Sequence, residues 1–402
     1  MRALNAIPGV PGRRERFRKR ILKHAVVLLM FVTFSPANSY ELHPKPSDTE
    51  VRRAKSYDIS FRSHFPVFDL GVHLYSSPVH EQLSAHAHGC DFNLCSRSDV
   101  SAAILAGVVW NDDPPFSFDE SKNSYIYRND HKACRRKKDR EGNFVPVGTI
   151  SFSLAPDCWI AHFKHVQKVA KKSPLAYSGG KGSLLARSHF GDLQFLHSMA
   201  TRKDEAAEET RGKILMWAEL MWRIDGRSPD DWKVSRADRL SAVKIVGIND
   251  HFRLGESRTI EELFALGRPW FRNNMDIEDM AFGSLLHMVQ DSFSGSHAIR
   301  EGESTDDSDM NCRTNPIREF QTYAGQKSHT HSLYDQREQA RTSLEKIHMA
   351  TQKLINLRSE RASWEQVEIF LKKCVFPLSN QVQPAGKTDL APLRTAHEQH
   401  LY

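Results

Sequence analysis

The chain has 402 residues, of which 40% are hydrophobic and 26% charged, with a formal net charge of +7. Such a length and composition support one large core or two modest ones and exclude disorder as the default for the chain. The charge excess is local, because residues 1–39 hold eight of the 56 Lys and Arg and one of the 49 Asp and Glu, leaving 48 of each elsewhere. A neutral remainder gives no reason to infer a polyanionic partner from net charge.

At the N-terminus Arg13, Arg14, Arg16, Arg18, Lys19, Arg20 and Lys23 precede the apolar run Ala25 to Phe34, then Ser35-Pro36-Ala37-Asn38-Ser39. This is the layout of a signal peptide over 1–39, with an apolar run shorter than the ~20 residues a bilayer-spanning helix needs. Export to the periplasm or the medium is therefore expected. The six cysteines, Cys90, Cys95, Cys134, Cys158, Cys312 and Cys374, then permit up to three disulfides, with Cys90 and Cys95 the favoured local pair.

Residues 40–65 read as an extended lead-in, and 66–380 as a helical domain that a tail over 381–402 follows. From 66 to 118 the chain is turn-rich, with a short helix near Val100 to Trp110 that Asp113-Pro114-Pro115 must end. Residues 119–182 look like an insertion or long loops, including the basic run Arg135-Arg136-Lys137-Lys138, read as a solvated face. Helical patterning then dominates. Leu184 to Met199 and Ile214 to Trp222 read as amphipathic helices, Arg239 to Leu254 continues the pattern, Ile260 to Leu266 is a short helix, Ile277 to Phe293 a strongly apolar one, and 332–374 one or two more. The fold class is therefore all-α.

Chemistry concentrates in Gly283 to His297. On a helix, His287 and Asp291 lie one above the other, and Gly295 lets the chain turn so that His297 approaches the same region. His331 and Asp335 repeat the i, i+4 pairing, preceded by His329. Imidazole nitrogen and carboxylate oxygen are ordinary zinc donors, and two such pairs exceed what one ion needs.

The order His287, three residues, Asp291, five residues, His297, followed by His331, three residues and Asp335, resembles the superfamily of bacterial zinc-dependent phospholipases C and single-strand-specific zinc nucleases. The resemblance implies a multi-helix bundle of that type, with long loop insertions here, and two or three zinc ions. An upstream carboxylate and histidine are implied as well. Trp110-Asn111-Asp112 resembles the nuclease Trp-x-Asp, making Asp112 the favoured ligand with Asp113 its rival. Ser188-His189-Phe190 resembles a phospholipase stretch and favours His189, with His162 in Trp159-Ile160-Ala161-His162-Phe163 as the nuclease-like alternative. His80 is the candidate for a third ion, whose usual N-terminal tryptophan ligand has no counterpart, since the first tryptophan is Trp110. His197 and His251 are expected to lie outside the site.

By the same resemblance His189 and His287 hold the first ion with Asp112, which also takes a proton from the attacking water. Asp291 is the bridging carboxylate, and His297, His331 and Asp335 hold the second ion. No nucleophile-elbow, phosphate-loop or zinc-protease helix motif occurs. The expected substrate is a phosphate ester, a phospholipid head group ahead of single-stranded nucleic acid, with transient contact to a membrane surface and no stable protein partner. Trp159, Phe163, Trp270 and Phe271 are read first as packing residues rather than substrate shelves. A metal-binding scaffold without catalysis is the reading from a different class.

Overall fold

The structure is a computed structural model that describes residues 79–89, 100–116, 150–151, 156–230, 232–252, 258–266, 274–301, 314–323 and 343–386. The leader, the lead-in, the basic run at 135–138, Trp270, Phe271, His329, His331, Asp335, the Cys90 and Cys95 pair and the tail beyond 386 lie outside them. Within the described residues the chain is mostly helical, as the patterning predicts, with one two-stranded sheet. No helix among them is long and apolar enough to cross a membrane.

The helices are α1 (Val79–Ala87), α2 (Ala102–Trp110), α3 (Pro156–Lys172), α4 (Leu184–Phe190), α5 (Ala207–Asp225), α6 (Ile248–His251), α7 (Ile260–Phe264), α8 (Asn274–Asp291), α9 (Leu344–Ser359) and α10 (Trp364–Phe370). Between α8 and α9 run β1 (Ala298–Arg300) and β2 (Ile317–Phe320), which pair antiparallel with Ala298 opposite Phe320 and Ile299 opposite Glu319.

The core is built on α8. Its Met280, Phe282, Leu285, Leu286, Met288 and Val289 are all buried. Against it lies α2, whose sequence AAILAGVVW carries no polar side chain and so is suited to burial on nearly every side. Glycine lets the two backbones meet. A Cβ added at Gly283 would land on the carbonyl oxygen of Ile104 and 2.7 Å from Val108 N, and one at Gly107 would strike the Met280 carbonyl. Trp217 of α5 stacks on Trp110 with ring centroids 5.6 Å apart and donates its indole N–H to Ser284 Oγ of α8 at 3.1 Å.

Four expectations need correction. The stretch 66–118 holds a second helix, α1, and the supposedly irregular 119–182 contains the 17-residue α3. The stretch read as helical over 239–254 is not one helix, for among its described residues, 239–252, only a 3₁₀ turn at Leu240–Ala242 and the short α6 are helical. Leu240, Val243, Ile245, Ile248 and Phe252 are buried all the same, so their apolar spacing reflects a loop laid on the core. The helix read over Leu184 to Met199 stops at Phe190, and a separate 3₁₀ turn, Gln194–His197, follows.

Candidate metal centre

Asp291 closes α8, is fully buried and stands among four imidazoles. His80 Nε2 is 3.2 Å from its Oδ1, while His287 Nε2 and His197 Nδ1 are each 2.9 Å from Oδ2 and His297 Nδ1 is 3.4 Å from it. These side chains come from α1, the 3₁₀ turn, α8 and the turn after α8, so the site exists only in the folded chain.

Each imidazole is aimed by its surroundings. His287 lies one turn before Asp291, and its Nδ1 donates to the Val108 carbonyl at 2.7 Å, a bond that the glycine-mediated approach of α2 makes reachable. His80 Nδ1 donates to Gln290 Oε1 at 2.8 Å, and the Gln290 amide donates to Ser84 Oγ at 2.9 Å, returning to the helix that carries His80. His197 is set by its turn. Asn111 Nδ2 donates to the Leu196 carbonyl at 2.7 Å, Ser198 Oγ donates to the Met288 carbonyl at 2.6 Å, and Ser198 takes the left-handed conformation at φ 53° that ends the turn. His297 is fixed through its backbone, whose carbonyl accepts from Gln321 N at 2.8 Å just beyond β2.

Asp112 follows α2 closely, its Oδ1 lying 3.8 Å from His197 Nδ1 and 3.9 Å from His287 Nε2. Potential ligand atoms fall within 4.8 Å of one another in three overlapping groups: His80 with Asp112 and His287, Asp112 with His189 and His197, and His197 with His287 and Asp291. Asp112 belongs to two of these groups, whereas Asp113, also buried, belongs to none. His189 Nδ1 is held by the Leu185 carbonyl at 3.1 Å, with its ring 4.9 Å from that of His197. His162 is not in these groups. Its ring lies 4.8 Å from that of Phe116, in a second apolar cluster, and its Nε2 is 2.8 Å from Ser183 Oγ, the hydroxyl that caps α4 by accepting from Ala186 N.

His197 is thus the main correction to the sequence reading, which placed it outside the site. The break at Gly191 is the reason. In one continuous helix His189 and His197 would be about 12 Å apart along the axis, whereas the turn folds the second back onto the first. Gln290 and the Val108 carbonyl were likewise missed, because aiming groups carry no motif. His251, the other histidine expected to be uninvolved, packs edge-on against Phe195 and is in none of the ligand groups. Among the described residues His80, Asp112, His189, His287, Asp291 and His297 come together, and His331 and Asp335 lie outside those residues.

The electrostatics suit neutral His287 and His197 beside a charged carboxylate. Burial lowers His287 to about 3, helped by His80, and burial also lowers His197. Burial alone would raise Asp291, but the facing His297, His287 and His80 and the hydrogen bond from His197 hold it well below the usual carboxylate range.

The donor set fits a cation. A carbonyl can only accept, so His287 carries its proton on Nδ1 and turns the lone pair of Nε2 toward Asp291 Oδ2 at 2.9 Å. With Gln290 Oε1 accepting from Nδ1, His80 likewise turns its Nε2 lone pair toward Oδ1 at 3.2 Å. Two electron-rich atoms at such distances, cut off from water, repel unless something positive lies between them. Burial disfavours a proton on His287, and a cation held among these atoms would relieve the repulsion. His197 Nε2 is also buried and makes no hydrogen bond. Zinc bonds of about 2.1 Å in a tetrahedron imply ligand atoms about 3.4 Å apart, near the 3.2 Å between His80 Nε2 and Asp291 Oδ1 and the 2.9 Å between His287 Nε2 and Asp291 Oδ2.

No family model matches the chain, and no curated protein or solved structure matches it. The functional reading therefore stands on the residues and their geometry.

Proposed function

We propose that the chain is a zinc-dependent phosphodiesterase of the phospholipase C and single-strand nuclease type, built on the helical bundle that goes with it. The observation carrying this reading is Asp291, both of whose oxygens face the lone pairs of buried imidazoles that are aimed from behind by the Val108 carbonyl and Gln290. An isolated structural site would need four donors and would close around them. Here six side chains, His80, Asp112, His189, His197, His287 and His297, gather with one carboxylate, which suits ions that share it.

When bound, zinc supplies a water acidified toward a pKa of about 7 and a Lewis acid for a phosphoryl oxygen. The chain's own contribution is positioning and proton handling. His287, His197, Asp291 and Asp112 form the first ligand set, with His189 beside Asp112 and His197. His80 faces the other oxygen of Asp291, and His297, which the sequence resemblance groups with His331 and Asp335 in a second set, lies 3.4 Å from Oδ2. Asp112 Oδ1, 3.8 to 3.9 Å from two imidazole nitrogens, takes the proton of the attacking water. The apolar packing around α8 excludes bulk water and strengthens each of these interactions.

A phosphodiester in a lipid head group is the favoured substrate. Burial of Trp159 and Phe163, which stack on each other at 5.0 Å, removes two aromatic shelves that a nuclease would offer to unstacked bases. Cys158 and Cys374 are both disulfide-bonded, which supports an oxidising, exported setting. Metal analysis of the purified protein, with hydrolysis of a nitrophenyl phosphocholine ester and of single-stranded DNA, tests the reading. Zinc together with ester turnover is expected. Turnover of DNA alone would select the nuclease branch, and bound zinc with neither activity would select the scaffold.

A further inference from the structure

Between Cys158 and Gly191 the chain has no Asp or Glu but has Lys164, Lys168, Lys171, Lys172 and Lys181. This imbalance is local in a sequence otherwise neutral beyond residue 39. All five lysines are exposed, and none makes an ion pair among the described residues. Four of them lie on α3 or at its end, at spacings of four, three and one, and so share one face of the helix. Leu175, just past the helix, is 66% exposed beside the last two. The opposite face of α3 carries Trp159, His162, Phe163 and Val166, all buried.

Ordinary surface lysines are interspersed with acids, and a helix C-terminus accounts for Lys171 and Lys172 alone. Neither explains a cationic face two turns longer, next to an exposed leucine. The position matters as well. Phe163 meets His189 edge-on at 5.1 Å, so α3 borders the candidate metal centre at His189, and its lysine face lies one helix diameter, roughly 10 Å, beyond that contact.

We infer that the exposed face of α3, with Leu175 and Lys181, docks on an anionic lipid surface. The inference rests on the phospholipase reading for its purpose, though its physical basis is the face itself. Lysine ammonium groups are drawn to acidic head groups, and Leu175 supplies apolar area for the head-group boundary. Single-stranded nucleic acid is the weaker partner, since the large aromatics of α3 are buried and leave no stacking platform.

The test is co-sedimentation of the full chain with phosphatidylcholine vesicles, with and without about a third phosphatidylserine, comparing wild type with K164E/K168E/K171E. Both proteins share the same N-terminus, so their difference reads the face alone. Each lysine near an acidic surface is worth about fivefold in partitioning, so the triple variant should lose more than a hundredfold of the phosphatidylserine-dependent binding. Leu175→Ser should lose severalfold, and K346E/K353E on α9 should lose none. Zinc content and turnover of the soluble phosphocholine ester should not change in any variant. Equal binding to both vesicle types by wild type, or equal binding by wild type and the triple variant, overturns the inference. So does tighter binding of this face to a single-stranded oligonucleotide than to the acidic vesicles. Ester turnover without vesicle preference would sink the docking surface alone, and vesicle preference without turnover of any phosphate ester would sink the enzymatic reading alone.

Discussion

Replacing Gly283 by alanine tests whether the packing of α2 on α8 sets the metal centre. The added carbon would meet the Ile104 carbonyl oxygen and sit 2.7 Å from Val108 N and 2.9 Å from Gly107 C. Ordinary contacts of this kind lie near 3.4 to 3.6 Å, so the helices must part by roughly 1 Å. His287 and the Val108 carbonyl, now 2.7 Å apart, would then separate to about 3.7 Å, beyond hydrogen-bonding reach. Overpacking costs about 1 to 3 kcal/mol, and the lost bond adds about 1 kcal/mol. Better helix propensity returns about 1 kcal/mol, leaving a net loss of about 1 to 3 kcal/mol. Loss of a group that orients a ligand lowers metal affinity about 10- to 100-fold. Guanidinium unfolding followed by circular dichroism, with zinc affinity from chelator competition, measures both quantities. Gly212→Ala is the control, because its Cβ meets nothing within 4 Å on the exposed side of α5, and it should gain a few tenths to about 1 kcal/mol. Wild-type zinc affinity in a folded Gly283→Ala protein would refute the argument that α2 aims His287.

His197→Ala should abolish turnover and lower bound zinc as severely as His287→Ala, whereas His251→Ala and His162→Ala should keep both; elemental analysis beside the ester assay decides, and normal zinc in His197→Ala would remove this residue from the centre. Gln290→Leu keeps the side-chain bulk but takes away the acceptor of the His80 Nδ1 proton, so zinc affinity should fall about 10- to 100-fold with little change in helix content. Acid should destabilise the metal-free protein. Burial lowers His287 to about 3, so between that pH and about 6.5 the unfolded chain binds a proton that the folded chain does not. Stability then rises with pH through this window and is lost as pH falls below about 6.5, by up to about 1.4 kcal/mol per pH unit for one proton. Unfolding of chelator-treated protein at pH 7 and 5 reads this slope, which His287→Asn should flatten; an unchanged slope would assign it to other groups.

The helical class and α8 were legible because apolar residues recur along that helix with few interruptions, and His287 and Asp291 followed from the spacing of four. Helix α1 was not. Its buried side includes His80, Glu81 and Ser84, of which His80 meets Asp291 and Ser84 meets Gln290, so the apolar periodicity that betrays an ordinary amphipathic helix is missing where the helix serves the site. His197 was hidden for the converse reason. Leu193, Phe195, Leu196 and Met199 are buried and continue an apparent helix across Gly191, whose added Cβ would strike the Tyr177 carbonyl. Only that close approach, made by residues more than a dozen positions away, shows that the chain leaves the helix there. Between Asp112 and Asp113 the sequence favoured the first only through a resemblance, whereas the end of α2 turns Asp112 toward His197 and His287.

The centre and the core share their supports, so a metal bound there would act on both. Ser284 of α8 donates to Asn111 Oδ1 at 2.5 Å, Asn111 holds the Leu196 carbonyl, and Trp217 donates to Ser284. One buried polar chain therefore links α2, α5, α8 and the turn that presents His197. Without an ion the carboxylate of Asp291 confronts two lone pairs in the driest part of the molecule, a repulsion that only separation of these same elements can relieve. An ion relieves it in place and so favours the packed arrangement by its whole differential affinity for that arrangement. Ligand substitutions should consequently loosen the α2 to α8 contact, and wedging that contact should weaken the ligands. This reciprocity follows from a site that occupies the interface between the core helices rather than resting on its surface.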